Sequence, residues 1–146
     1  RRFQATAGPQ AYCTAKLTSL GCLPQLAWSG TPSASSASAF TISASNVIGQ
    51  APGLFFYGYS SAFLPFQGGT LCVQGPLRLP LQLTSGAAGT CAGTAAVDFN
   101  AWIHGGGDTQ LVPGATVSVQ YYFRDAADPA GFGSGLSNAV RFTICP

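Results

Sequence analysis

The sequence predicts an all-β fold: a single β-sandwich, jelly-roll or Greek-key in type, stapled by disulfides. Three observations carry that expectation. Short runs of β-branched and aromatic residues are separated by Gly, Pro, Ser and Asn clusters along the whole chain. Three of those runs alternate between apolar and polar positions, the period of a strand with one face buried. Five cysteines, Cys13, Cys22, Cys72, Cys91 and Cys145, stand in a chain of 146 residues, which suits one domain.

In chain order, residues 12–18, 25–29, 40–46, 54–59, 70–74, 77–83, 94–103, 115–124 and 139–145 read as strands. Phe40, Ile42 and Ala44 alternate with Thr41, Ser43 and Ser45. Val117, Val119 and Tyr121 alternate with Ser118, Gln120 and Tyr122, and Val140, Phe142 and Ile144 with Arg141, Thr143 and Cys145. Each such run implies one buried and one wet face. Turn signals fall at Pro52-Gly53, Gly68-Gly69, 105–107, Pro113-Gly114 and 131–135. The segment TPSASSASA at 31–39 reads as a flexible loop on composition, with an O-glycosylated loop as the sharper alternative. Residues 12–146 form the sandwich domain. Residues 1–11 form an N-terminal extension, in which Phe3, Ala5 and Ala7 alternate as a candidate intersubunit strand. A plain tail explains the same three residues.

Charge narrows the function classes. Charged residues make up 7% of the chain, against about 25% in ordinary soluble domains. There is no Glu, Lys16 is the single Lys, and Arg1, Arg2, Arg78, Arg124 and Arg141 are scattered. A nucleic-acid partner needs clustered cations to neutralise several phosphates, so none is expected. No apolar run approaches the roughly 18 residues of a spanning helix, so no membrane insertion is expected. The cysteines point to an oxidising compartment. The missing Met at position 1 points to a processed chain or a segment of a longer one. The expected location is extracellular or at a cell surface, with a signal peptide removed.

The cysteines lack C-x-x-C spacing and His104 is the only histidine, so no zinc site and no cofactor is expected. Local pairing of Cys13 with Cys22 and of Cys72 with Cys91 leaves Cys145 over. The rival pairing joins Cys72 to Cys145 and leaves Cys91. An odd cysteine in a secreted chain is a free thiol or a link between chains.

The motifs YCTAKLTSLGC (12–22), SGTPSAS (29–35), FTISASNV (40–47), PGLFFYG (52–58), PFQGGTLCV (65–73), VDFNAW (97–102), QYYFRD (120–125) and FTICP (142–146) stand in a specific order. In that order the chain resembles a family of secreted domains that recurs in planctomycetes and related environmental bacteria, often at the end of longer exported proteins. The resemblance covers nearly everything after about residue 11. It implies a secreted β-rich domain and brings no activity with it.

Catalytic signatures are thin. His104-Gly105-Gly106-Gly107 resembles the oxyanion loop of some lipases, which requires a G-x-S-x-G nucleophile elbow. Around Ser134 the string is Gly131-Phe132-Gly133-Ser134-Gly135, with the glycines misplaced, so a glycine-rich turn with an exposed histidine is the better reading. Asp98, Asp108, Asp125 and Asp128 lie in no glycosidase frame. Asp125 and Asp128 read as caps of a turn in preference to calcium ligands. The glycines at 131–135 lack a lysine, which a phosphate loop requires.

Aromatics offer the best route to binding. Consecutive rings at 55–57 and 121–123 must face both sides of a strand. Phe56, Tyr57, Tyr59 and Tyr122 are therefore the candidate aromatic surface, suited to sugar stacking or a protein partner. Phe99 and Trp102 read as core. Low charge, unprotected sheet edges, the odd cysteine and the extension favour a non-catalytic structural protein. Its partner would be itself, as a homo-oligomer or a polymer in a surface filament or layer. The alternative is a carbohydrate-binding or adhesive module of a larger exported protein, with polysaccharide as partner.

Overall fold

The computed structural model describes residues 8–146, and they form a nearly all-β, sandwich-like fold. Phe3, Ala5 and Ala7 lie outside the described residues. The large sheet is antiparallel, in the order β1 (Gln10–Tyr12), β11 (Ser134–Thr143), β10 (Thr116–Arg124), β4 (Pro52–Gly58) and β7 (Leu77–Arg78). The short β8 (Gln82–Leu83) also pairs with β4. The facing sheet holds β2 (Gln25–Ser29), β3 (Thr41–Val47) and β9 (Gly93–Asp98). A hairpin of β5 (Ser60–Phe66) and β6 (Gly69–Gln74) forms a third layer on the outer face of the large sheet.

Between the two sheets lies the main core, with Leu26, Ile42 and Ala95 on one side and Phe55, Val119 and Phe142 on the other. Phe40, Phe99 and Phe142 meet edge to face, with ring centroids 4.9 and 5.3 Å apart. The outer face is closed by a smaller cluster of Phe56, Val73 and Leu136 beneath the hairpin.

This third layer corrects the alternation argument for β10. Ser118 and Gln120, expected on a wet face, are 1% and 0% exposed, because the hairpin covers them. The Gln120 amide replaces water there. It accepts from Cys72 N–H at 2.9 Å and donates to the carbonyls of Thr70 at 2.9 Å and Ser137 at 2.7 Å. Alternation holds in β3 and at the end of β11, where only one face is covered.

Other boundaries move for local reasons. The expected strand at 12–18 ends at Tyr12, because Cys13 takes a φ of 73° that breaks extended backbone. Gln10 and Ala11, assigned to the extension, pair with Arg141 and Val140 of the same chain. Pro52-Gly53 is not a turn but the start of β4, where proline is tolerated as the first strand residue. Gly53 and Gly135 flank Phe123 in register, and a Cβ on Gly135 would run into that ring. The 77–83 strand is split at Pro80 into β7 and β8. The 94–103 strand stops at Asp98, whose carboxylate accepts from Ala101 N–H and caps a short helix α1, Phe99–His104. Gln67 and Gly68, with φ of 49° and 79°, make the two-residue turn of the β5–β6 hairpin.

The disulfide pairing is also corrected. Cys13 joins Cys72 and Cys22 joins Cys91, and Cys145 remains unbridged. Neighbours in sequence do not pair because residues 13–22 run as a strap across the molecule. Lys16 N–H bonds Leu136 O at 2.9 Å in its middle, and Cys22 N–H turns back to Thr18 Oγ1 at 2.9 Å. The low-complexity loop 31–39 is pinned by the buried Asn100, whose amide binds Thr31 O, Ser38 O and Ser33 N–H.

Candidate functional site

The strand period divides the four expected surface aromatics between two places. Phe56 and Tyr57, consecutive on β4, point to opposite faces, and both are buried because both faces are covered. Their assignment as exposed rings is thereby corrected. Tyr57 faces the main core and Tyr59 packs against it. Both phenols donate to Asp108 Oδ2 at 2.6 Å, and Trp102 Nε1 donates to the Tyr57 hydroxyl at 3.2 Å. Burial and the neighbouring carboxylate push Tyr57 up to about 12 and raise Tyr59 further. Burial works against ionisation of Asp108, but the bonds from the two phenols and from Gln110 N–H outweigh it and hold the carboxyl below its usual range. These groups satisfy one another, which makes the cluster a closing knot at the end of the sandwich.

Phe56 and Tyr122 lie on the other face, where the chain leaves a groove. One cleft of about 180 Å³ is bordered by Phe56, Phe66, Gln67, Leu71 and Arg78. A second, of about 310 Å³, is bordered by Pro52, Leu81, Arg124 and Phe132. Leu54 and Tyr122, partners across β4 and β10, line both, so the clefts form one groove over the large sheet. The hairpin provides one wall, with the Phe66 ring 6.3 Å from that of Tyr122. The opposite rim carries Leu81 and Phe132, which are 69% and 57% exposed. The Tyr122 hydroxyl donates to Gln67 Oε1 at 3.0 Å and fixes the ring that both clefts share.

Lys16 holds the walls in place. Its ammonium donates to Asp128 Oδ2 at 2.7 Å, Gln67 O at 2.7 Å and Ser134 O at 3.0 Å, and lies 5.9 Å from the Phe132 ring centroid. One cation thus ties the hairpin turn to the 125–133 loop. Asp128 also accepts from Ala130 and Phe132 N–H, and Asp125 accepts from Ser19 N–H at 2.8 Å and Ser19 Oγ at 2.6 Å. Asp128 thus caps its own turn as expected, whereas the Asp125 carboxylate fastens Ser19 of the strap; neither lines the groove.

The ion pair with Lys16 holds the Asp128 carboxyl at about 2. An unfolded aspartate titrates near 3.9, so the pair's contribution is complete above that pH and is lost as pH falls towards 2. Thermal melts from pH 5 to pH 2 are expected to show a falling midpoint across this window. The Lys16→Met variant should start lower and fall less steeply; identical slopes would place the acid sensitivity elsewhere.

The lipase-like string does not assemble a site. His104 is the exposed last residue of α1, followed by the glycine turn. Among the described residues no three His, Cys, Asp or Glu side chains gather closely enough to hold a metal ion. No helix of the described residues is long and apolar enough to cross a membrane. The two arginines at the groove were read as scattered in sequence, and no signal short of the strand pairing brings them together. No family model, curated protein or solved structure matches the chain, so the resemblance to planctomycete domains rests on the quoted motifs alone.

Proposed function

We propose that the chain is a non-catalytic extracellular binding module, adhesive in character, that holds a polysaccharide in the groove over β4 and β10. The observation that carries this reading is the Tyr122–Leu54 floor. It presents a half-buried ring, oriented by Gln67 and flanked by Phe66, inside an open concavity. Sugars combine apolar ring faces with hydroxyl edges, and a fixed aromatic ring bordered by amide and guanidinium groups meets both. The paired disulfides fit an oxidising location outside the cell. Affinity electrophoresis through polysaccharide gels tests it. Retardation of the wild-type chain should weaken, about fivefold in affinity, in Tyr122→Ala, since stacking on one ring is worth of order 1 kcal/mol. No retardation on any glycan, charged or neutral, would overturn the reading.

A second reading, assembly into a filament or layer, draws on the edges. β5, the outer strand of the hairpin, exposes Phe63 and Leu64 at 67% and 52%. Unguarded edges of this kind pair readily with another chain.

A further inference from the structure

We infer that the groove selects an acidic polysaccharide, one whose uronic-acid carboxylates are separated by neutral sugars. The inference rests on the binding-module reading above and specifies its ligand. All four aspartates of the chain are engaged by the protein itself. Asp98 caps α1, Asp108 takes two phenols, Asp125 takes Ser19 and Asp128 takes Lys16. The positive groups are distributed differently. Lys16 is consumed by its ion pair, and Arg141 lies over the Tyr12 ring with its Cζ 5.3 Å from the ring centroid. Arg78 and Arg124 border the groove, both exposed, and neither makes an ion pair or a side-chain hydrogen bond among the described residues. The groove therefore carries two uncompensated guanidinium groups and no carboxylate.

Register sets how those charges are spaced. Arg78 stands beside Phe56 on β4, while Arg124 lies one step beyond the Tyr122–Leu54 pair on the same face of β10. Four residues along the sheet and two strand spacings across it separate their Cα atoms by about 16 Å. Between them the floor is apolar, Leu54 and the Tyr122 ring. A guanidinium binds a carboxylate through two parallel hydrogen bonds, so each arginine is a fitted receptor for one anionic group. A charge laid over the apolar floor between them would be desolvated without a partner, which is costly. The matching ligand is thus an extended chain with carboxylates at intervals and neutral rings between. A second copy of this protein fits poorly. It would bring like charge and no unengaged side-chain carboxylate to the two arginines.

The test compares three probes on the intact chain: hyaluronan oligosaccharides, in which a uronate alternates with a neutral sugar, neutral dextran, and densely charged dextran sulfate. Titration calorimetry should show the hyaluronan probe bound most tightly. Each of Arg78→Gln and Arg124→Gln should weaken it about tenfold or more, the scale of a charge-assisted hydrogen bond, with an unchanged thermal midpoint because both side chains are exposed. Tyr122→Ala should weaken the hyaluronan and dextran probes alike. Equal affinity for dextran and hyaluronan, indifferent to the arginine variants but weakened in Tyr122→Ala, overturns the acidic-ligand inference while the binding-module reading stands. Preference for dextran sulfate, screened away by salt and unaffected by either arginine variant, overturns it as non-specific charge attraction. Failure of every probe removes the underlying reading as well.

Discussion

Loss of the Cys22–Cys91 bridge, in a Cys22→Ser, Cys91→Ser double variant, is expected to lower the thermal midpoint by roughly 10–15 °C. The bridge joins residues 69 apart in sequence, and Cys13–Cys72 joins residues 59 apart. Loops of that length remove a great deal of freedom from the unfolded chain, worth about 4 kcal/mol for each bridge on the chain-entropy model. The two bridges differ in what they hold. Cys13–Cys72 fastens the start of the strap to β6, under the hairpin, whereas Cys22–Cys91 fastens its end beside β9 in the opposite sheet. Scanning calorimetry of each double serine variant, with and without reductant, checks the magnitude. A midpoint within a degree or two of wild type would show that the strap is held without them.

Gln120→Leu is expected to cost about 3 kcal/mol or more, a large effect for a near-isosteric change. Leucine fills the same space but leaves the Cys72 N–H and the Thr70 and Ser137 carbonyls without partners at a site from which water is excluded. An orphaned buried group costs about 1–3 kcal/mol, and three are created together. Since Cys72 and Thr70 both belong to β6, the damage falls on the seating of the hairpin. Hydrogen exchange should show β5 and β6 amides losing protection before those of β3 and β9. A uniform loss over the whole chain would mean that the hairpin and the sandwich unfold as one unit.

Much of the fold is legible in the sequence because the rules involved are local. β3 and the end of β11 reveal themselves through Ile42, Ala44, Val140 and Phe142, each buried against one core with a polar neighbour outside. The departures in burial share one cause, the third layer. Once the hairpin covers the large sheet, Ser118, Gln120 and Phe56 are all buried, and alternation no longer separates inside from outside. β5 carries no strand signal in the sequence, because Ser60–Phe66 is an edge segment with little periodicity and a proline in it. The start of β11 is masked by Gly135, Ser137 and Asn138: Gly135 leaves room for the Phe123 ring, Ser137 Oγ accepts from Tyr121 N–H and Asn138 Oδ1 from Leu26 N–H. Of the groove, Tyr122 was readable as an aromatic in a consecutive run. Arg78 and Arg124 were not, since only the lateral order β7, β4, β10 places them on one surface. Lys16 was marked out by being the lone lysine, yet nothing local names Asp128 as its partner.

The position of β11 between β1 and β10 has a kinetic consequence. The large sheet joins the earliest and latest described strands, so Gln10–Tyr12 has no strand to pair with until Ser134–Thr143 is present. Contacts between such distant segments must absorb loop-closure entropy before they return any stability, which makes folding slow and leaves collapsed, unpaired strands exposed meanwhile. Closure of the Cys13–Cys72 and Cys22–Cys91 bridges then fastens the strap to both layers.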